Sequence, residues 1–141
     1  MATYVLLVNV KSNLTIEVGQ KGMVSFPKGR YFYVGSARAG LDKRLNRHLG
    51  NRKNLHWHID YLLECKEAEV AEVWVHSQHR ECATARALLH SQSARPIKKG
   101  LGSSGCSCPA HLFQFEDHVP SARTLLLDLG FERWPQDRPK S

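Results

Sequence analysis

The stretch GRYFYVGSARAGLDKRLNRHL, residues 29–49, joins two different patterns through a short segment of small residues. Its first half, Tyr31–Gly35, is aromatic and β-branched, which is typical of a strand. The next residues, 36–40, are small except for Arg38 and leave the backbone accessible. From Leu41 the period becomes helical. We therefore expect a strand, an open turn and a helix in direct succession.

The helix is expected to carry apolar and basic residues on opposite sides. Three leucines spaced four residues apart predict its buried stripe: Leu41, Leu45 and Leu49. Arg44, Arg47 and His48 are expected on the other side, with Arg44 and His48 one turn apart on one face. Backbone N–H groups at the turn, a guanidinium and the nearby phenol of Tyr33 together favour binding of a phosphate.

Positive charge is concentrated around this helix. The chain has 20 Lys+Arg and 13 Asp+Glu, a net charge of +7. Residues 38–53 contain six basic residues and one acidic residue, Asp42, which accounts for five of the seven excess charges. The six are Arg38, Lys43, Arg44, Arg47, Arg52 and Lys53. Such a patch is typical of proteins that bind polyphosphates, although a solvated helix face explains charge alone equally well.

Length and composition predict a single domain. The 141 residues are 42% hydrophobic and 23% charged, as in ordinary globular proteins. We expect the domain to cover residues 1–133, followed by a tail at 134–141. The sequence contains no run of about 18 apolar residues that would span a bilayer, so no membrane contact is expected. Without an export signal, the four cysteines are interpreted as reduced thiols and the location as cytoplasmic.

Periodicity elsewhere predicts an α/β (α+β) fold in which helices flank a small, mainly antiparallel central sheet. Further strands are predicted at 4–10, 14–18, 23–26, 70–75 and 111–115. Further helices are predicted at 58–64, 81–90 and 121–129. Residues 93–109, rich in glycine, serine and proline, are predicted to form a loop.

Several short motifs occur in an order that resembles the GIY-YIG nuclease superfamily. ATY (Ala2–Tyr4) stands in place of its first strand motif, YVG (Tyr33–Gly35) in place of the second, and LDKRLNRH supplies Arg44 and His48. The segments YVGSA, RLNRHL, HWHIDYLL and GSSGCSCPAHLF are similar, more closely still, to the family called domain of unknown function 123. This resemblance extends from about Tyr4 to Phe115.

The resemblance implies hydrolysis of a phosphodiester bond with one divalent metal, usually Mg²⁺. It implies that Tyr4 and Tyr33 position or deprotonate the attacking water, that Arg44 contacts the phosphate, and that His48 assists. A glutamate on a later helix would bind the metal. Glu81 is the best match, and four others remain open if the register differs: Glu64, Glu67, Glu69 and Glu72.

A further group of residues is predicted to contact the nucleic-acid backbone without reading its sequence. They are Gly35, Ser36, Arg38, Lys43, Arg47, Arg52, Lys53, His56 and His58. In the resembled family, some members are joined to DNA-repair glycosylases. This resemblance favours DNA over RNA and implies a role in repair. A non-catalytic nucleic-acid-binding module with the same fold is the alternative hypothesis.

Two groups of residues have the composition of zinc sites. Cys106, Cys108 and His111 lie within six residues, and Cys82 would join them if the third helix packs beside the loop. The spacing differs from the usual C-x2-C, so a tight structural turn is the competing interpretation. His56, His58 and Asp60 form a second possible group. A zinc-stabilised interaction protein is therefore a third functional hypothesis.

Overall fold

The computed structural model describes residues 2–50, 54–91, 94–103, 106–116 and 119–134. Its strands are β1 (Ala2–Val10), β2 (Leu14–Glu17), β3 (Met23–Phe26), β4 (Gly29–Ala37), β5 (Ala68–His76), β6 (Ala94–Arg95), β7 (Leu112–Phe115) and β8 (Glu132–Arg133). Its helices are α1 (Leu41–Leu49), α2 (His58–Leu63), α3 (Glu81–Leu89) and α4 (Val119–Asp128). The strand, turn and helix of the opening stretch follow one another as the sequence predicts.

The strands form a six-stranded sheet in the order β6-β7-β4-β1-β5-β8 and a separate hairpin of β2 and β3. All pairings among the described strands are antiparallel. This confirms the predicted α+β class. The residues of the hairpin account for the long separation between the two tyrosine strands, β1 and β4.

Both faces of the sheet are covered, which explains the continuous apolar run of β1. Leu6 and Val8 point to the face that carries α1, α2 and the hairpin, where Leu45 and Ile59 pack. Val5 and Leu7 point to the opposite face, which α3 and α4 cover. The buried helical residues on that second side are Ala85, Leu88, Ala122 and Leu126.

Helix α1 is oriented differently from the prediction. Leu45 is fully buried, but His48 is also buried, with 2% of its surface exposed, while Leu49 is 39% exposed. The predicted leucine stripe is therefore wrong at its last member, and His48 was wrongly expected on the solvent side. The physical reason is that His48 Nε2 lies 2.8 Å from Tyr4 Oη, a hydrogen bond that brings the imidazole into the core.

Two short strands and one buried tryptophan differ from the prediction. The predicted loop contains β6, and β8 follows α4; strands of two residues are too short to show a period. Trp134, assigned to the tail, is buried, and its indole N–H donates to Asp42 Oδ1 at 2.9 Å. Residue 134 thus packs with the domain, whereas 135–141 lie outside the described residues. None of the helices in the described ranges is both long and apolar enough to cross a membrane.

Gly35 allows the ring of Tyr4 to lie over the neighbouring strand, β4. The two residues are directly paired between β1 and β4. A Cβ atom at Gly35 would lie 2.5 Å from Tyr4 Oη, closer than any real contact. The glycine of the YVG motif is therefore required by the tyrosine of the first strand.

We predict that Gly35→Ala lowers the free energy of unfolding by about 1–3 kcal/mol, since Tyr4 must leave its position. Denaturant unfolding measures this effect. In a Tyr4→Leu background, which removes the contacted atoms, the same substitution should cost at least about 1 kcal/mol less. An equal cost in both backgrounds would show that the tyrosine is not the constraint.

Candidate functional site

A cavity of about 350 Å³ opens at the edge of the sheet where β1 begins and β4 ends. Four of the five predicted catalytic residues line it: Tyr4, Tyr33, Arg44 and Glu81. They come from β1, β4, α1 and α3 respectively, so four elements distant in sequence meet there. The roles assigned to these residues stay predictions, but the structure places their side chains around one hollow.

The two tyrosines share a face of the sheet. Tyr4 pairs with Gly35 and Leu6 pairs with Tyr33, so the phenols are diagonal neighbours, with ring centroids 6.2 Å apart. Burial raises the pKa of Tyr4 to about 12, although a hydrogen bond with Arg44 partly offsets this. Burial likewise raises the pKa of Tyr33 well above its ordinary value. Both phenols are therefore protonated at neutral pH and act first as hydrogen-bond donors.

His48, the fifth predicted catalytic residue, lies behind Tyr4 and is buried. Its Nε2 contacts the Tyr4 hydroxyl, and its Nδ1 lies 3.9 Å from Asp60 Oδ1, within ion-pair range. The three side chains form a line from the cavity into the core. His48 therefore lies between a phenol and a carboxylate.

Arg44 is held at the entrance of the cavity by two contacts. Its Nη1 donates to the backbone oxygen of Ser36 at 2.9 Å. Its guanidinium carbon lies 4.4 Å from the ring centre of Trp57, within cation–π range. A planar guanidinium in this position is suited to bidentate binding of a phosphate.

Glu81 is the acidic residue that lines this cavity among the described residues. Its Oε1 accepts a hydrogen bond from Ser36 Oγ and its Oε2 contacts His111 Nδ1, both at 2.7 Å. Burial alone would raise the pKa of Glu81, but the bonds from His111 and Ser36 bring it below the ordinary value. The carboxylate is ionised at neutral pH. Of the four glutamates left open by sequence, Glu72 binds Arg123 instead.

The predicted nucleic-acid contacts occupy several environments. Arg38 and Lys43 are exposed and lie close in sequence to the lining residues Ser36 and Arg44, and His56 is exposed next to Trp57. His58 accepts a hydrogen bond from the backbone N–H of Gly102 at 2.7 Å, and burial lowers its pKa. Arg52 and Lys53 lie outside the described residues.

Arg47 takes part in an internal network that the sequence analysis missed. It donates to both carboxylate oxygens of Asp60, at 2.8 and 3.0 Å. Asp60 also accepts the backbone N–H groups of His56 and Trp57, each at 2.9 Å. Its place in the first turn of α2 is a position where an acidic side chain commonly bonds the preceding backbone, a signal that could have identified it. Asp60 therefore holds the backbone of Trp57, whose ring contacts the guanidinium groups of Arg44 and Arg47.

A cluster of soft ligands forms the adjacent wall of the cavity. The side-chain atoms of Cys82, Cys106, Cys108 and His111 that could bind a metal all lie within 4.8 Å of one another. Cys82 is present because α3 does pack beside the loop. Three sulfurs and one imidazole could hold a metal ion, and they suit zinc better than magnesium. Cys82, Cys106 and His111 also line the cavity.

The second possible zinc group does not form. Asp60 is bound to Arg47, and His58 Nδ1 is bound to Gly102, so these side chains do not converge with His56. Across the described ranges, the cluster around Cys82 is the one group of three or more metal-binding side chains.

Another hollow, of about 530 Å³, lies at the far end of β1 and β4. Its basic residues are Lys11, Lys28 and Arg30. None of the predicted catalytic residues lines it. The smaller cavity therefore remains the candidate active site.

We predict that Asp60→Ala lowers the free energy of unfolding by about 3 kcal/mol, because Arg47 and two backbone N–H groups lose their acceptor. Burial alone would raise the pKa of Asp60, but the bonds from Arg47, Trp57 and His56 lower it below its ordinary 3.8. Its contribution is therefore complete above about pH 4 and is lost as pH falls through the native pKa.

Denaturant unfolding at a series of pH values measures both effects. The variant should lose less stability than the wild type on acidification below about pH 4. Glu69→Ala is the matched control, since its ion pair with Lys11 is exposed and is expected to change stability by less than about 0.5 kcal/mol. A parallel acid response of Asp60→Ala and wild type would contradict the account of the network.

Comparison with known proteins gives one match. The chain has no significant match among the curated proteins or among the solved structures compared with it. The family model described as "Domain of unknown function DUF123" matches residues 3–128, which include the cavity and the cysteine–histidine cluster. The chain therefore belongs to this family.

Proposed function

We propose that the cavity hydrolyses phosphodiester bonds in nucleic acid, with DNA as the expected substrate. The observation that carries this proposal is the convergence of two phenols, one guanidinium and one carboxylate on a single hollow. The ordered motifs that resemble the GIY-YIG nucleases supply the same residues, and the exposed basic residues Arg38 and Lys43 lie close in sequence to the lining residues Ser36 and Arg44. A guanidinium beside an ionised carboxylate matches the needs of phosphoryl transfer.

The residues present fit a divalent cation such as Mg²⁺. Glu81 supplies a hard, ionised oxygen ligand whose side chain is 22% exposed at the cavity. Mg²⁺ is commonly bound through one or two carboxylates together with water and substrate phosphates. When bound, the cation offsets negative charge on the phosphate oxygens.

Arg44 binds the substrate phosphate, and its neighbours keep the guanidinium oriented. Its guanidinium donates to two non-bridging oxygens of the phosphate, and Trp57 and the Ser36 carbonyl keep it in place. Because these contacts exist before substrate arrives, little reorganisation is needed when charge develops on the phosphate.

Tyr4 positions the attacking water and transmits its proton. As the water oxygen attacks phosphorus, its proton moves to Tyr4 Oη while the phenolic proton moves to His48 Nε2, which lies 2.8 Å away. The bond from phosphorus to the leaving oxygen breaks, and that oxygen takes a proton from solvent. After product leaves, His48 returns its proton to Tyr4, and Tyr4 releases the proton taken from water to solvent. The raised pKa of Tyr4 keeps the phenol neutral between turnovers.

The adjacent cluster has a different role in this proposal. Cys82, Cys106, Cys108 and His111 supply four protein ligands of the type found in closed structural zinc sites. Zinc in this position would stabilise the loop that carries Cys106 and Cys108 against α3. The hydrolytic metal and the structural metal would thus be of different kinds.

We predict that the purified protein nicks duplex, flapped or branched DNA only when Mg²⁺ is present. Arg44→Ala should reduce the rate by about 100-fold or more, and Tyr4→Phe by about 100-fold or more. Time courses on end-labelled DNA measure both rates.

Lys43→Ala is the matched control for Arg44→Ala, because it removes an adjacent exposed positive charge outside the cavity. It should weaken DNA binding by less than about tenfold and leave the nicking rate of bound DNA unchanged. Salt-sensitive binding without nicking on any of the three DNA forms would reject hydrolysis in favour of a binding module.

We predict that the protein purified with its metal contains one equivalent of zinc. Cys108→Ser should remove the zinc and lower thermal stability, because the loop loses a ligand. Cys65→Ser is the control, since Cys65 lies at the end of α2 and donates to Tyr61 O outside the cluster. Elemental analysis and thermal unfolding measure the outcomes, and equal zinc content in both variants would contradict the assignment.

A further inference from the structure

We infer that Glu81 belongs to both centres, and that zinc bound by His111 Nε2 holds the Glu81 carboxylate in the active cavity. The inference rests on the zinc site proposed above and not on hydrolysis. It assigns His111 and Glu81 as positioning residues that connect the cysteine–histidine cluster to the wall formed by Ser36 and Arg44.

The first step concerns the start of α3. Glu81 and Cys82 are consecutive, yet Cys82 Sγ belongs to the cluster while the Glu81 carboxylate contacts Ser36. A metal that binds Cys82 therefore fixes the backbone from which Glu81 extends. The positions of both side chains therefore depend on the same turn of backbone.

The second step concerns the two nitrogens of His111. Its Nδ1 lies 2.7 Å from Glu81 Oε2, and its Nε2 lies 3.5 Å from Cys106 Sγ. A carboxylate oxygen at this distance is an acceptor for an Nδ1–H, and in that tautomer Nε2 presents its lone pair to the sulfurs. The ring is buried, with 1% of the residue surface exposed. This is the arrangement in which a carboxylate orients a zinc-binding histidine.

The third step extends the connection to the phosphate-binding side. Glu81 Oε1 accepts from Ser36 Oγ at 2.7 Å, and the backbone oxygen of the same serine accepts from Arg44 Nη1 at 2.9 Å. A continuous series of contacts thus runs from the three cysteines through His111, Glu81 and Ser36 to Arg44. A metal bound by the cluster would therefore help to hold Ser36 and Arg44, at the end of β4 and in α1, in position.

A connection of this kind has a reciprocal consequence that needs no nucleic acid. If zinc positions Glu81, then Glu81 must strengthen the binding of zinc by the same free energy. Carboxylates that orient a metal-bound histidine typically contribute 10–100-fold to metal affinity. Glu81 is not a ligand in this account, so the four ligands stay in place when it is replaced.

We therefore expect Glu81→Ala to weaken zinc binding by about 10–100-fold. Glu81→Gln keeps an acceptor for the His111 Nδ1–H and should recover part of the affinity. Competition of each full-length variant with a chromophoric chelator measures the zinc dissociation constants. Glu116→Ala is the control, since its carboxylate pairs with Arg95 on the exposed surface. Equal affinities in all the variants would overturn the inference.

A spectroscopic measurement separates this positioning role from general destabilisation. With Co²⁺ in place of zinc, the visible absorption bands should shift in Glu81→Ala, return towards wild type in Glu81→Gln and stay unchanged in Glu116→Ala. Identical spectra in all four proteins would contradict a role for Glu81 in orienting His111.

Nitrogen NMR of the unmodified zinc-loaded protein gives the same test without any variant. His111 should show a protonated Nδ1 and a metal-bound Nε2, and the opposite assignment would reject the inference. None of these readouts uses DNA cleavage. A protein that binds zinc as described but cuts no DNA would therefore refute the proposed hydrolysis alone.

Discussion

The hydrogen bond between His111 Nδ1 and Glu81 Oε2, 2.7 Å long, connects the two chemical environments of this protein. On one side lie three sulfurs and an imidazole nitrogen, which are soft ligands for a metal. On the other side lies a cavity with hard oxygen and guanidinium groups. When Nδ1 donates its proton to Glu81, Nε2 presents its lone pair to the sulfurs. One ring therefore contacts both environments.

The sheet supplies the opposite wall through a constraint of its own. Gly35 has no side chain at the point on β4 where the Tyr4 ring lies. The paired register of β1 and β4 places Tyr33 beside Tyr4. His48 and Asp60 then support Tyr4 from the core. On this side the cavity is therefore bounded by paired strands, whose register sets the positions of Tyr4 and Tyr33.

Local patterns predicted most of this fold, whereas contacts between distant residues were harder to foresee. The strand, turn and helix at residues 29–49 follow from neighbouring residues, and so does the start of α1. The burial of His48 does not, because it depends on Tyr4, 44 residues earlier in the chain. Cys82 joined the metal cluster for a similar reason: its distance from Cys106 is decided by how α3 packs. Asp60 was missed because two histidines beside it suggested a metal site instead of a helix cap.

Crystallography gives the sharpest test of whether His111 connects a zinc site to the cavity. Anomalous difference maps recorded on either side of the zinc absorption edge would locate the metal in the native protein. We predict one zinc at about 2.3 Å from the three sulfurs and about 2.0 Å from His111 Nε2, with Glu81 on Nδ1 and facing Tyr4 and Arg44. Zinc bound directly by Glu81, or a His111 turned away from the sulfurs, would contradict the account.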